Sequence, residues 1–99
     1  MRITEVKISL RDDPKLKAFA TVTFDECFVV RGMKVIQTAT RLFLAMPTRR
    51  KPDGTFQDVA HPINAEWRAY VEGTVLREFT AALGRGDRPL RRQGSDEED

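Results

Sequence analysis

The sequence predicts an α+β domain: a curved antiparallel β-sheet of about five strands with one long C-terminal helix packed on it. Three observations point there. Apolar and polar residues alternate, as on half-buried strands, through Val6, Ile8 and Leu10 and again through Ala18, Ala20, Val22 and Phe24. Turn-forming clusters separate such runs, at Arg11-Asp12-Asp13-Pro14, at Asp25-Glu26 and at Pro52-Asp53-Gly54. After His61-Pro62 the apolar period lengthens to that of a helix and holds to Leu83.

Taken in order, residues 2–10 form the first strand, with Lys7 and Ser9 opposite its apolar side. The second sets Ala18, Ala20, Val22 and Phe24 against Phe19, Thr21 and Thr23. A third runs from Cys27 to Gln37, and its alternation slips at Gly32, where a bulge or sharp bend is expected. Residues 42–46 are short and nearly all apolar, which predicts a strand buried on both faces. Pro52 pre-sets φ for a turn, Asp53 suits the next position and Gly54 accepts φ > 0. Residues 42–46 and 56–60 therefore read as the arms of a β-hairpin, with Arg49, Arg50 and Lys51 on its shoulder. Asn64 is a good helix N-cap, and Glu66 in the first turn complements the dipole. Trp67, Tyr70, Val71, Thr74, Val75, Phe79, Ala82 and Leu83 recur along one stripe of a helix about five turns long, and Gly84 supplies the stop.

The folded domain is thus expected over 1–84. Residues 85–99 hold Gly, Arg, Pro and acid with almost nothing apolar, so they cannot offset their own ordering entropy and read as a disordered tail, basic and then acidic. Seventeen cations against fifteen acids give a net +2, but Asp96, Glu97, Glu98 and Asp99 close the chain. Without those four, seventeen cations face eleven acids, a body at +6. A single domain of this size buries roughly 60–70% of its unfolded surface, so dimerisation would add appreciably to stability. No apolar run approaches the roughly 20 residues of a membrane helix, and Met1-Arg2-Ile3-Thr4-Glu5 lacks the apolar core of a signal peptide. A lone Cys27 has no internal disulfide partner. The expectation is a cytoplasmic protein with no membrane attachment.

Arg49, Arg50 and Lys51 combine two planar donor forks with a mobile point charge, a set suited to phosphate. Arg41 and Arg68 are candidates to extend the patch. The plainer reading is a solvated hairpin tip, charged against edge-to-edge pairing. Cys27 and His61 can be drawn as nucleophile and base, but no third group orients them, and Cys27 reads as a small buried thiol opening a strand. One His and one Cys also fall short of the three or four ligands of a metal site. No catalysis, cofactor, metal or small-molecule substrate is expected. His61 more simply holds the chain extended before Pro62. Trp67, Tyr70 and Phe79 are possible base-stacking groups, yet their spacing fits a core stripe better.

The string from Ala45 to Asn64, Ala-Met-Pro-Thr-Arg-Arg-Lys-Pro-Asp-Gly-Thr-Phe-Gln-Asp-Val-Ala-His-Pro-Ile-Asn, resembles the SpoVG family (stage V sporulation protein G, or septation protein SpoVG). Ile3-Thr4-Glu5-Val6, Phe28-Val29-Val30, Val35-Ile36 and Leu42-Phe43-Leu44 support the resemblance, which covers roughly residues 1–83. It implies a dimeric regulator of gene expression that binds DNA, and in some members RNA, with links to cell-division septation and sporulation. It assigns nucleic-acid contact to the basic pair after Met-Pro, here Arg49 and Arg50. Family members often carry Arg where this chain has Gln57, and Thr where it has Lys51, so the resemblance also implies a displaced positive charge. The alternative is a protein-interaction module of the division or regulatory machinery that does not touch nucleic acid.

Ser95-Asp96-Glu97-Glu98-Asp99 is a tethered polyanion on a basic body, and a tether raises effective concentration enough to compete with phosphate. Deleting 95–99 is expected to tighten nucleic-acid binding at low salt and to have little effect at high salt, where the Debye length shrinks from about 10 Å towards 3 Å. Equal affinities of full-length and truncated protein at low salt would rule out self-competition.

Overall fold

Four antiparallel strands lie side by side in the order in which the chain makes them: β1 (Ile3–Leu10), β2 (Leu16–Phe24), β3 (Phe28–Gln37) and β4 (Leu42–Ala45). A separate two-stranded ribbon follows, β5 (Thr48–Arg50) with β6 (Phe56–Asp58), and then one helix, α1 (Ala65–Gly84). The computed structural model describes residues 1–89. Its architecture is the α+β arrangement that the periodicities predict, with a four-stranded sheet and a small ribbon in place of one five-stranded sheet.

Register lines the apolar residues up across the sheet. Leu10 faces Ala18, Ala18 faces Val35 and Val35 faces Leu44; in the next row Ile8 faces Ala20 and Ala20 faces Met33. These rows form the inner face, and α1 lays Val71, Val75, Phe79 and Ala82 upon it. Val22, Val35, Leu44 and Val75 are fully buried, and each such aliphatic side chain contributes about 1.5–3 kcal/mol of transfer free energy. Trp67 packs at the margin, its ring centroid 6.3 Å from Phe24 and 4.9 Å from Tyr70. The core reading of the helix aromatics is correct for Trp67 and Phe79, whereas Tyr70 and Leu83 of the expected stripe are exposed. Tyr70 instead accepts the Ile3 N–H at its hydroxyl, 2.9 Å away.

Two local features shape the sheet. Asp25 and Glu26 both have positive φ, 52° and 58°, and close β2 onto β3 with a Cys27 N–H to Phe24 carbonyl bond of 3.0 Å. Turns of this hand usually take Asn or Gly. Here the N-terminal segment steadies it: Asp25 accepts the Arg2 N–H and Thr4 Oγ1 accepts the Glu26 N–H, each at 2.9 Å. Cys27 belongs to this turn and is exposed, contrary to the expected buried thiol, because β3 starts one residue later. The bulge expected at Gly32 is present: Ala20 pairs with Met33 and Val22 with Val30, which leaves Arg31 and Gly32 opposite Thr21. Gly32 has φ +85°, and a Cβ there would lie 3.5 Å from Pro47.

The arms of the hairpin differ from the sequence reading. Residues 42–45 pair with β3, not with 56–60, and the turn at Pro52-Asp53-Gly54 joins only the short ribbon strands. Nor is β4 buried on both faces: Leu44 and Met46 are buried, while Leu42, Phe43 and Ala45 are only half-buried. The single helix covers one face of the sheet, so the other face of β4 stays open. Glu72 of α1 also accepts the Leu44 N–H at 2.9 Å, which occupies part of the free edge of β4.

Asn64 caps α1 as expected, accepting the Trp67 N–H at 2.7 Å. The helix ends at Gly84 as expected, but the left-handed residue that closes it is Gly86. Arg85 stays right-handed, Gly86 turns to φ +77°, and the Gly86 and Asp87 N–H groups return to the Leu83 and Ala82 carbonyls at 3.0 and 3.2 Å. Most of the expected tail, including its acidic end, lies outside the described residues.

Leu44→Ala is expected to destabilise the fold by about 2–5 kcal/mol, since it opens a cavity between sheet and helix. Leu83→Ala, on the same predicted stripe but exposed, should change stability by no more than about 0.5 kcal/mol. Urea denaturation of the two variants checks the contrast.

Candidate nucleic-acid interface

A proline, an acid and a glycine in succession bend the chain back at the ribbon tip. Lys51 accepts the Gly54 N–H at 2.9 Å, its own N–H reaches the Thr55 carbonyl at 2.7 Å, and Gly54 takes φ +91°. Such a loop is a turn followed by one left-handed residue. The Asp53 carboxylate accepts the Thr55 N–H at 3.0 Å and the Thr55 hydroxyl at 2.7 Å. These hydrogen bonds hold its pKa below the ordinary carboxylate range. The loop is thereby braced from within. At the base of the ribbon the Val59 N–H donates to the Pro47 carbonyl at 2.7 Å.

Within the ribbon Thr48 pairs with Asp58, Arg49 with Gln57 and Arg50 with Phe56, and all six of these residues are exposed. Successive strand residues point to opposite faces, so Arg49 and Arg50 project on either side of the ribbon while Lys51 enters the loop. None of the three is ion-paired among the described residues. A narrow ribbon with free cations on both faces has the shape to lie between two phosphate backbones, since a major groove about 12 Å wide admits a two-stranded β-ribbon.

The other two candidate cations lie elsewhere. Arg41 precedes β4 and the ribbon follows it, so β4's length, about 13 Å at 3.3 Å per residue, separates them. Its guanidinium lies 5.0 Å over the Phe43 ring and 3.9 Å from Glu72. Arg68 is exposed on the first turn of α1, its N–H bonded to the Asn64 carbonyl. The structure thus holds Arg49, Arg50 and Lys51 on the ribbon, with Arg41 just before β4 and Arg68 on α1.

An apolar groove of about 380 Å³ opens between the sheet and the start of α1, lined by Met1, Phe24, Phe28, Met46, Pro62 and Trp67 among others. Ile63 on its rim is 88% exposed and Phe28 is 62% exposed. On the ribbon side, Phe56 and Val59 are 67% and 62% exposed. Sequence reading missed this surface. The available signal was Ile63, an apolar residue beside a helix cap with no place in the helical stripe.

The SpoVG family profile matches residues 1–81. A protein of Anaeromyxobacter sp. (strain Fw109-5), named as a septation protein SpoVG, is 51% identical over 90% of this chain and 92% of its own length. One of Myxococcus xanthus with the same name is 47% identical over 84% of both chains. Another, of Caldicellulosiruptor saccharolyticus, is 42% identical over 88% of this chain and all of its own length.

The chain belongs to the SpoVG family.

For a SpoVG-family chain the ribbon is the most strongly patterned element, since its turn, its cations and the helix cap lie within one continuous string from Ala45 to Asn64. The pair Cys27 and His61 is not assembled into a site. Cys27 sits in the β2–β3 turn, whereas the His61 ring meets the Pro62 carbonyl at 2.9 Å, and no hydrogen bond joins the two. No group of three or more His, Cys, Asp or Glu able to hold a metal occurs among the described residues. No helix among them is long and apolar enough to cross a membrane.

Proposed function

We propose that this SpoVG-family chain is a dimeric, non-enzymatic, site-specific DNA-binding regulator of gene expression. RNA is a further ligand, the setting is cytoplasmic, and the role is tied to septation and sporulation. The observation that carries the reading is the exposed ribbon, with Arg49 and Arg50 on opposite faces, Lys51 at its tip and none of the three ion-paired among the described residues. Such cations contact phosphate and set register on the nucleic acid. Two ribbons in a dimer double the contact and raise avidity. Arg41 and Arg68, on β4's lead-in and on α1, add charge outside the ribbon.

Dimerisation is supported by shape. A two-stranded hairpin alone is marginally stable in water, yet this one presents Phe56 and Val59 to solvent. The same chain offers the apolar groove by Met1, Phe28 and Ile63. A protrusion and a recess of like character on one chain suit a reciprocal C2 contact. The apolar groove also favours the second reading, a protein-interaction module of the division machinery, in which a partner other than DNA occupies it. Salt dependence separates the two, since only phosphate binding requires it.

Arg49→Ala with Arg50→Ala is expected to weaken DNA binding with little loss of stability, and to flatten the log–log salt slope by about two units. Anisotropy titrations at several salt concentrations read this, and an unchanged slope with wild-type affinity removes the ribbon from the site.

Sedimentation at micromolar concentration is expected to show a species of twice the 11.3 kDa chain mass. Ile63→Glu should shift it towards the monomer. A wild-type protein that sediments only as a monomer would overturn the dimer.

A further inference from the structure

The helix covers one face of the sheet, and the residues on the other face form a pattern that the ribbon does not explain. Phe19 is buried, yet among the described residues it is the buried apolar side chain that stands outside the helix-side core. It lies in the cross-strand row Ser9, Phe19, Lys34, Ala45, on the outer face. Its cover is cationic: the Arg11 guanidinium is 4.8 Å from the ring centroid and the Lys34 ammonium 6.0 Å. Arg11 is held there by hydrogen bonds to Ser9 Oγ at 2.7 Å and to the Leu10 carbonyl at 3.3 Å. Arg41 repeats the arrangement over Phe43, which pairs with Ile36.

Topology brings these two groups to one end of the sheet. β1 and β3 run in the same direction, and β4 returns antiparallel to β3. Arg11, just after β1, and Arg41, just before β4, therefore share an end, separated across three strand spacings, or about 14 Å. Lys7, opposite Thr21, adds a further exposed cation on this face. Glu5 is the acid that shares the outer side of these strands, opposite Thr23. Lys7, Arg11 and Lys34 have no ion pair among the described residues, and Arg41 keeps 64% of its side chain exposed despite Glu72 at 3.9 Å. Asp13, in the turn after β1, directs its carboxylate to the Lys15 and Leu16 N–H groups at 3.0 and 2.8 Å.

A guanidinium laid on a phenyl ring is a rigid plane whose second side can take another flat group. Two such planes, with the Lys34 ammonium on a strand between them and the Lys7 ammonium further along β1, match unstacked bases joined by phosphates. Duplex bases have no free faces to offer, whereas single strands do. We propose that the outer face of the four-stranded sheet binds single-stranded nucleic acid, DNA or RNA, with Arg11 and Arg41 stacking on bases and Lys7 and Lys34 contacting phosphates. The proposal rests on the reading of this chain as a nucleic-acid binder and adds a second surface, distinct from the ribbon.

The test compares full-length wild type with Arg11→Ala/Lys34→Ala, Arg11→Lys and Arg49→Ala/Arg50→Ala. The probes are oligothymidylate, oligouridylate and a mixed-sequence duplex, with thermal melts as the folding control. Arg11→Ala/Lys34→Ala should bind the single strands about tenfold or more weakly, the scale of one lost base stack, while its duplex affinity stays within about twofold of wild type. Arg11→Lys keeps the charge but loses the plane, and should lose the fluorescence quenching of a 2-aminopurine placed in the single strand. Wild-type single-strand affinity in Arg11→Ala/Lys34→Ala, an equal loss on duplex and single strand, or full quenching in Arg11→Lys would each overturn the outer-face site. In those cases a duplex defect in Arg49→Ala/Arg50→Ala leaves the ribbon reading standing. Wild type that binds none of the probes overturns both. If Arg11→Ala/Lys34→Ala melts early, Arg11→Lys, which keeps the cation over Phe19, carries the decision.

Discussion

The contact on which the structure depends is that of α1 with the inner rows of the sheet. Ala18 and Ala20 stand at the centre of β2, almost wholly inaccessible, and their small side chains leave room for Val71, Val75 and Phe79 to settle between the strands. Close packing of this kind tolerates neither voids nor excess volume. With one helix and a sheet of two faces, only one face can be covered. The consequences are visible in each remaining element. The outer strand positions become polar and cationic, Phe19 and Phe43 are screened by Arg and Lys, and Glu72 reaches from the helix to the Leu44 N–H on the edge of β4.

The ribbon is the complement of that core. None of its strand residues is buried, and its order comes from within, through the Asp53 carboxylate, the left-handed Gly54 and the closing Pro47–Val59 bond. Gly32 contributes from β3: its φ of +85°, which other residues rarely adopt, shapes the bulge that lies against Pro47 as the chain leaves β4. Charge on such an arm is fully hydrated, so a pair of charges at 4 Å is worth only about 1 kcal/mol in water. Strength must come from several phosphate contacts made together, which is the regime where salt governs affinity. The outer sheet face differs in kind, because the Arg11 guanidinium is pre-positioned on a ring and by hydrogen bonds and the Arg41 guanidinium on a ring beside Glu72, and so they lose less freedom on binding.

Much of this was legible in the residues. Alternation through Val6, Ile8 and Leu10 and through Ala18 to Phe24 announces strands, because strand side chains alternate faces whatever they later touch. Asn64, Pro52-Asp53-Gly54 and Gly32 announce a cap, a turn and a bulge, because each acts through its own backbone and near neighbours. The cations at 49–51 were legible as exposed charge for the same local reason. Partners were not legible. Residues 42–45 pair with β3 and not with the strand after the turn, since the bend at 38–41, closed by the Thr38 N–H on the Arg41 carbonyl at 2.8 Å, folds them back on β3 first. Gly86, and not Gly84, takes the left-handed turn just past the helix, where the Gly86 and Asp87 N–H groups return to the Leu83 and Ala82 carbonyls. Cys27 is exposed because the turn closes one residue later than the apolar run suggested. The sequence by itself determined the elements, their turns and their charge, all of which follow from interactions a few residues long. Only the tertiary structure decided that the ribbon pairs apart from the four-stranded sheet, that Ile63 rims an apolar groove, and that Arg11 and Arg41 share one end of the outer sheet face. Those relations join residues that are distant in the chain, and only a packed register brings them together.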